Sequence, residues 1–475
     1  MAKRYDAVVV GSGPNGLAAA ALLAREGVSV LVIEGHGQIG GATRSAELTL
    51  PGFVHDVCSA VHPMGVLSPF LCELPLGELG LQWMHPQASA AHPLDDGTAV
   101  LLRKSLDETC DELGARDEAR YRRLMEPFLR VGRPLVADLV GPLRIPKHPL
   151  TMARFGFYGV RSALGLLRGR FEGERARAML AGCAAHSILP LEHMLSGGVG
   201  LIFAFTAHLE NWPVARGGSR TITDALADYV TSLGGEIETG RWVTSLADLP
   251  DARVKLLDVA PRQLIELAGD ALPSGYRKRL QRYRYGPAVF KLDWALDGPI
   301  PWRDGRCAEA STVHVGGTLE EIAASERAAW KGERCDRPFV MVCQQSHFAA
   351  SRAPEGKHTG YAYCHVPHGS DGDMTDAIEA QVERFAPGFR DLILARHSLR
   401  PADLERRNPS LIGGTITGGV ADLTQFFTRP IAQLDPYRTP LPGVLLCSDA
   451  TPPGGGVHGM GGYFAARSAL RLLGK

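Results

Sequence analysis

The chain lacks a CxxC pair, an apolar run of membrane-spanning length, an excess of either charge, and any recognised metal-binding spacing. Each absence excludes something. The nine cysteines, at 58, 72, 110, 183, 307, 335, 343, 364 and 447, are odd in number and scattered. That argues against a redox-active disulfide and for a reducing compartment. Lysine plus arginine number 51 and aspartate plus glutamate also 51, so no global field draws in nucleic acid and no nucleic-acid partner is expected. The longest apolar stretch, 194–207, is broken by serine and glycine and is too short to cross a bilayer. The first apolar run begins within a few residues of Met1, leaving no room for a signal peptide, so a cytoplasmic location is expected. The histidines and cysteine of 358–368 fit no zinc pattern, and strand alternation would put neighbours on opposite faces; no metal is expected.

What the chain has is concentrated first at its start. Ala7 to Val10 is apolar, β-branched and too brief for a helix, which predicts a buried parallel strand. Gly11-Ser-Gly13-Pro14-Asn15-Gly16 follows at once, and Leu17 to Arg25 predicts an alanine-rich helix. In such a GxGxxG loop the first glycine permits the turn, the second lets a pyrophosphate approach the backbone, and the third lets helix and strand pack closely. Free N–H groups at the helix start favour phosphate. Val28 to Ile33 predicts a second strand ending on Glu34, at the ~20-residue spacing where a carboxylate holds ribose hydroxyls and disfavours a 2′-phosphate. A plain turn with a surface glutamate is the bland alternative; the strand before and helix after argue for a dinucleotide site.

Three more segments extend the pattern. A second glycine turn, Gly35-His-Gly-Gln-Ile-Gly40-Gly41-Ala42-Thr43-Arg44, follows Glu34 directly. Trp212-Pro213-Val-Ala-Arg216-Gly217-Gly218 precedes a helical run to Leu233, with Thr221 or Thr223 as candidate N-cap. Near the end stand Gly413-Gly414, Gly418-Gly419, Gln425 and Arg429-Pro430, then Cys447-Ser-Asp449 and Val457-His458-Gly459-Met460-Gly461-Gly462-Tyr463. In this order the segments resemble the FAD enzymes of the phytoene dehydrogenase (desaturase)-related group in the amine oxidase superfamily.

The resemblance implies an α/β fold: a Rossmann-like FAD-binding domain of the glutathione-reductase/amine-oxidase type with an inserted α+β substrate domain, part antiparallel sheet and part helical. The FAD domain would comprise 1–93, 213–262 and 431–475, and the substrate domain 94–212 and 263–430. FAD would lie against Gly11, Gly13, Pro14, Asn15 and Gly16, with Glu34 and Gly35 at the ribose and Gly41, Ala42, Thr43 and Arg44 along the pyrophosphate and flavin. Val243 would meet adenine and Asp449 the ribityl or pyrophosphate. Val457, Gly459 and Met460 would stand at the flavin ring, the last two aiming N–H groups at N1 and the C2 carbonyl. The implied reaction is hydride removal from a small apolar substrate, polyene or lipid-like, to flavin N5, with oxygen or a quinone as electron acceptor. No second GxGxxG follows a strand, which disfavours direct reduction by NAD(P)H.

The rest is less directive. Leu94-Asp-Asp-Gly predicts a hairpin, and 45–93 otherwise reads as loops. Helical patterns fill 106–209, with Pro127 and Pro134 as expected kinks or breaks. Residues 155–171 mix aromatic, apolar and basic side chains: a peripheral membrane contact on one reading, an ordinary amphipathic helix on the other. Runs at 289–297, 338–345 and 359–366 alternate and predict antiparallel strands with one polar face. Longer strands are expected at 236–246 and 254–261. His62, Arg429, His458 and Tyr463 are candidates for the reactive pocket; no catalytic base is assigned, since hydride transfer needs positioning more than an acid–base pair. An amine or alcohol oxidase, a flavin-dependent isomerase or saturase, and a FAD-retaining interaction protein remain open.

Overall fold

A computed structural model describes residues 4–475. Residues 1–3, on which the expectation about a leader segment partly rests, lie outside the described residues.

The strand β1 (Tyr5–Val10) is central in a five-stranded parallel sheet. Its neighbours are β2 (Val30–Ile33) on one side and Ala252–Leu257 on the other, with Glu236–Glu238 and Val444–Leu446 at the edges. Ala7 and Val9 pack toward the helix α1 (Pro14–Arg25) and the C-terminal helix Met460–Leu473, while Val8 and Val10 pack toward the helix Pro261–Ala268. Burial on both faces explains the continuous rather than alternating apolar run. A Cβ on Gly16 would lie 2.1 Å from the carbonyl oxygen of Gly11, and one on Gly462 1.8 Å from that of Asn15. Those glycines let α1 sit directly on the strand turn and on the C-terminal helix.

The second sheet has seven strands in the order Ile393–Leu399, Ala288–Leu296, His358–Val366, Val340–Cys343, Ala310–Val315, Ala88–Pro93, Ala99–Arg103. All pairings are antiparallel except that of Ala310–Val315 with Ala88–Pro93, which is parallel and joins the two inserted segments. The hairpin at Leu94–Thr98 forms, but its first strand already belongs to this sheet, ahead of the boundary read at 93/94. Helices between Leu106 and Glu210 cover one side, including Glu174–Ala185 and Ser196–Glu210.

Several expectations need correction. The strand Ala288–Leu296 has no exposed polar face: all nine residues are buried. Its Lys291 and Asp293 bond each other, and Asp293 lies 3.6 Å from His55 and 3.7 Å from His397. The cover comes from Ser45–Glu47 and Val54–Asp56, a small hairpin in a region expected to be loop. Thr221 and Thr223 are not N-caps. The helix starts at Arg220, and their hydroxyls bond back to the carbonyls of Gly218 and Arg220; Asp56 receives the N–H of Ser219 at 2.7 Å instead. Helix Ala115–Leu129 runs through Pro127, which sits one turn or less from its end, and Pro134 opens the next helix rather than breaking one. The expected strand 236–246 stops at Glu238, and 254–261 ends at Leu257, where Pro261 opens a helix.

Candidate active site

The carboxyl ends of a parallel sheet, where strand order reverses around β1, are where such folds take ligands. Three of the strands end near an acid: Glu34 after β2, Asp258 after Ala252–Leu257, and Asp449 after Val444–Leu446. Together with the glycine loops they border one continuous cavity of about 1110 Å³.

At one end of the cavity are Glu34, Gly35, His36, Trp242 and Val243. The carboxylate of Glu34 accepts the Ser12 amide at 3.0 Å and hydroxyl at 2.5 Å through Oε2, and the His36 amide at 2.9 Å through Oε1. It is therefore fixed in place as a hydroxyl acceptor at the strand edge. The His36 ring meets Trp242 edge-on at 5.0 Å. A Cβ on Gly35 would enter the Trp242 ring at 2.7 Å, so glycine is required for that wall.

In the middle, Gly11, Gly13, Pro14 and Asn15 face Gly41, Ala42 and Arg44 across the cavity wall. A Cβ on Gly41 would come within 3.1 Å of the Gly13 Cα; the two glycine turns touch. Arg44 donates to the carbonyls of Gly41, at 3.0 Å, and Arg407, and its charge is felt by Glu34. This cradle suits a pyrophosphate, with one dissonant group. The Asp258 carboxylate accepts the Gly16 amide at 3.0 Å, and its Oδ2 would lie 2.8 Å from a Cβ on Gly13. Burial first, then Asp449 and Glu34, push its pKa up to about 7. Asp449 is raised by burial to about 6, opposed by the Arg429 charge. Below neutrality Asp258 thus carries a proton, which makes it compatible with an anion.

Not every expected residue borders the cavity. Gly16 lies behind it and is needed for packing. Thr43 is fully buried, bonding Gly40 and Thr223. Val457 and His458 line the cavity, whereas Gly459 and Met460 do not. The Met460 N–H is taken by His458 Nδ1 at 3.0 Å, so in this structure it does not point into the cavity as a free donor. Tyr463 also lies outside, half-buried on the C-terminal helix between Phe70, at 5.0 Å, and the Arg467 guanidinium, at 5.8 Å. His62 borders the cavity, but its Nε2 is paired with Ser219 Oγ at 2.9 Å; burial lowers its pKa to about 4, as it does for His458. Arg429 borders the cavity as expected, and its buried guanidinium holds two loops together through the carbonyls of Gly419, Val420 and Asp449.

The far end is a chamber walled by Ile202, Phe203, Trp212, Met341, Tyr361 and Tyr363. Under it, Lys291 lies 4.4 Å from the Tyr361 ring centre. From there the cavity reaches Pro142, Leu143, Pro146 and Met152. Among the described residues no group of three or more His, Cys, Asp or Glu could hold a metal ion, and no helix is long and apolar enough to cross a membrane.

Residues 9–71 match the NAD(P)-binding Rossmann-like domain family. The mouse protein named pyridine nucleotide-disulfide oxidoreductase domain-containing protein 2 is 28% identical, with 99% of this chain and 94% of that protein covered. Phytoene dehydrogenase of Streptomyces griseus is 26% identical over 86% of this chain and 80% of its own length. Among solved structures, putrescine oxidase bound to putrescine superposes with a TM-score of 0.63 at 18% identity, each chain fully covered. The chain thus shares the fold of putrescine oxidase and is similar over most of its length to oxidoreductases, a phytoene dehydrogenase among them. The chain carries no CxxC, despite the word disulfide in its mouse relative's name.

The third glycine of the loop gives a sharp test of the cradle. Gly16→Ala puts a methyl 2.1 Å from a backbone oxygen, which only a shift of α1 can relieve. The variant is expected to lose FAD binding by more than about 100-fold, since the helix N-terminus and cradle move together. Retention of wild-type FAD affinity in a fluorescence titration would contradict the cradle geometry.

Proposed function

We propose that the protein binds FAD along the glycine loops and oxidises an apolar, polyene- or lipid-like molecule held in the chamber, with oxygen or a quinone as terminal acceptor. The observation that carries this is the continuity of the cavity, from Glu34 through the glycine turns to Phe203, Trp212 and Met341 without a closed wall. Bound FAD would supply a hydride acceptor. The chain's own residues hold Glu34 at the ribose, keep the cradle narrow through Gly13 and Gly41, and keep water away from the chamber with buried aromatic walls. The match to a phytoene dehydrogenase supports the apolar substrate class.

The route in supports it too. Leu143, Ile145 and Leu150 are 76%, 94% and 87% exposed, and Leu143 also lines the cavity. Between Leu139 and Phe171 stand Arg144, Lys147, Arg154, Arg161, Arg168 and Arg170, with no aspartate or glutamate. An apolar lip on a segment this rich in cations suits an anionic lipid surface, from which a cytoplasmic protein would draw substrate by peripheral contact.

The purified protein should show a flavin absorption band near ~450 nm, bleached anaerobically by one member of a panel of polyenes and long-chain compounds, and faster when that compound is presented in anionic rather than neutral vesicles. No band after FAD is added would remove the cofactor assignment. A band that no compound bleaches would favour an isomerase or an interaction role, and equal rates in both vesicles would remove the lipid-surface contact.

A further inference from the structure

His186 follows the buried helix Glu174–Ala185 and enters the chamber wall. Its ring stacks on Phe203, with centroids 4.2 Å apart and planes at 21°, and meets Trp212 edge-on at 5.6 Å. Its Nε2 lies 3.0 Å from Nε2 of His314, on the strand Ala310–Val315. Burial depresses the basicity of both rings, His186 to about 3 and His314 well below its usual value. Each imidazole is therefore neutral near pH 7 and carries one N–H.

Only one arrangement of those two protons avoids a buried orphan donor. If His186 donated to His314, the His314 proton would sit on Nδ1, which is buried without a partner. An unpaired buried N–H costs a full desolvation penalty, and such orphans are rare. The alternative has the His314 Nε2–H donating to His186 Nε2. His314 Nδ1 is then a bare lone pair, and His186 carries its own proton on Nδ1. No protein group accepts from His186 Nδ1, and that atom is not among the buried unpartnered ones, while the ring borders the cavity.

The other hydroxyls of the chamber make bonds inside the protein, Ser187 Oγ among them as acceptor of the Leu189 amide at 3.3 Å. Tyr361 donates to the Cys58 carbonyl, Tyr363 to the Met341 sulfur at 2.9 Å, and Thr312 pairs with the Cys343 thiol at 4.0 Å. His186 Nδ1–H is left as a donor fixed by its ring packing in a mainly apolar space.

We propose that His186 is the polar anchor of the substrate chamber, and that the substrate is a mainly hydrocarbon molecule bearing an oxygen that accepts a hydrogen bond, such as a ketone, ester or alcohol. The oxygen accepts from His186 Nδ1 while the hydrocarbon lies against Ile202, Phe203, Trp212 and Met341. A protonated amine has no lone pair to offer this donor, so the chamber selects against ammonium forms. This rests on the chamber being the substrate site and narrows the apolar class proposed above.

The test is binding, read by tryptophan fluorescence on the full-length protein as isolated, with 2-decanone and decane as probes. Wild type should bind the ketone about tenfold more tightly, the worth of one hydrogen bond in a dry site. His186→Phe keeps the stack on Phe203 and removes the donor, so it should lose the preference with decane binding unchanged. His186→Gln restores an N–H and should recover part of it, and it carries the test if the phenylalanine variant does not fold. An equal preference in His186→Phe, or none in wild type, would overturn the anchor. Failure of both probes to bind wild type would overturn the chamber as substrate site and the anchor with it. Flavin bleaching is a separate readout, so loss of the anchor leaves the oxidation itself standing.

Discussion

Arg352→Met is expected to lower the stability of the fold by about 3–5 kcal/mol, the cost of stranding a buried partner charge. Arg352 and Asp56 are both fully buried, with Nη1 2.6 Å from Oδ2. Arg352 also donates to the Ala215 carbonyl at 2.9 Å, and Asp56 Oδ1 accepts Ser45 Oγ at 2.8 Å and the Ser219 amide at 2.7 Å. One ion pair therefore ties the 45–56 hairpin, the turn before helix Arg220–Ser232 and the inserted domain into one joint beneath the cavity. Burial alone would raise the Asp56 pKa, but Arg352, Ser219 and Ser45 together bring it below its usual 3.8. With the folded pKa depressed, this stabilisation is present above the unfolded pKa of about 4 and is lost as pH falls through the folded value. In the methionine variant only the Ser219 and Ser45 hydrogen bonds still oppose burial, the Asp56 pKa rises, and the deficit should shrink on going from pH 7 to pH 5. Urea unfolding at the two pH values checks this. Asp56→Asn with Arg352→Met should recover most of the loss, and a single-variant deficit under ~1 kcal/mol would contradict the pair's burial.

The affinity for FAD should weaken as pH rises, by up to about tenfold per unit above pH ~7, because one proton must be taken up on binding. The group responsible is Asp258, in the glycine cradle. It faces the Gly16 amide, Asp449, Glu34 and the Cys447 thiol; Arg429 stands beside Asp449 rather than beside Asp258. Its folded pKa is raised to about 7, so it is neutral below that pH and anionic above. A pyrophosphate brought against the α1 N-terminus prefers the neutral form. Asp258→Asn keeps the shape without the charge and should bind FAD tightly at pH 9 with a flat profile, Asp449 contributing what slope remains. Fluorescence titrations of FAD between pH 6 and 9 decide it. A flat wild-type profile, or the same slope in the asparagine variant, would place Asp258 away from the phosphates.

The parallel sheet and its ligand edge were legible in the sequence because the signals are local. A β-branched run, three glycines and a helix lie within twenty-odd residues, and Glu34 follows at a fixed spacing. Asp258 carries the same signal, an acid closing the apolar run Val254 to Leu257, and could have been found by comparing it with Glu34 and Asp449. The joint of Asp56 and Arg352, the pair Lys291 and Asp293 beneath Tyr361, and the pair His186 and His314 could not. Their members come from distant segments or look like ordinary strand alternation, and only the closed fold brings them together. For the same reason an exposed polar face was expected on Ala288–Leu296, since alternation reports which side is polar and not whether something covers it. Capping misled at Thr221 and Thr223 because the acceptor that serves the helix start, Asp56, arrives from another element. Tyr463 and Met460 stand in a glycine-rich motif, but helix phase turns the first away from the cavity onto Phe70, and His458 takes the amide of the second.

The parallel pairing of Ala88–Pro93 with Ala310–Val315 has a consequence for biogenesis. As the polypeptide leaves the ribosome, the hairpin of 88–103 emerges early with one edge open, and the strand that closes that edge is translated some two hundred residues later. During that interval the open edge can pair with other nascent chains. Production of this protein should therefore depend on chaperone capacity and elongation speed more than its finished stability would suggest, and a chain cut before Ala310 should be recovered in inclusion bodies rather than as a folded nucleotide-binding fragment.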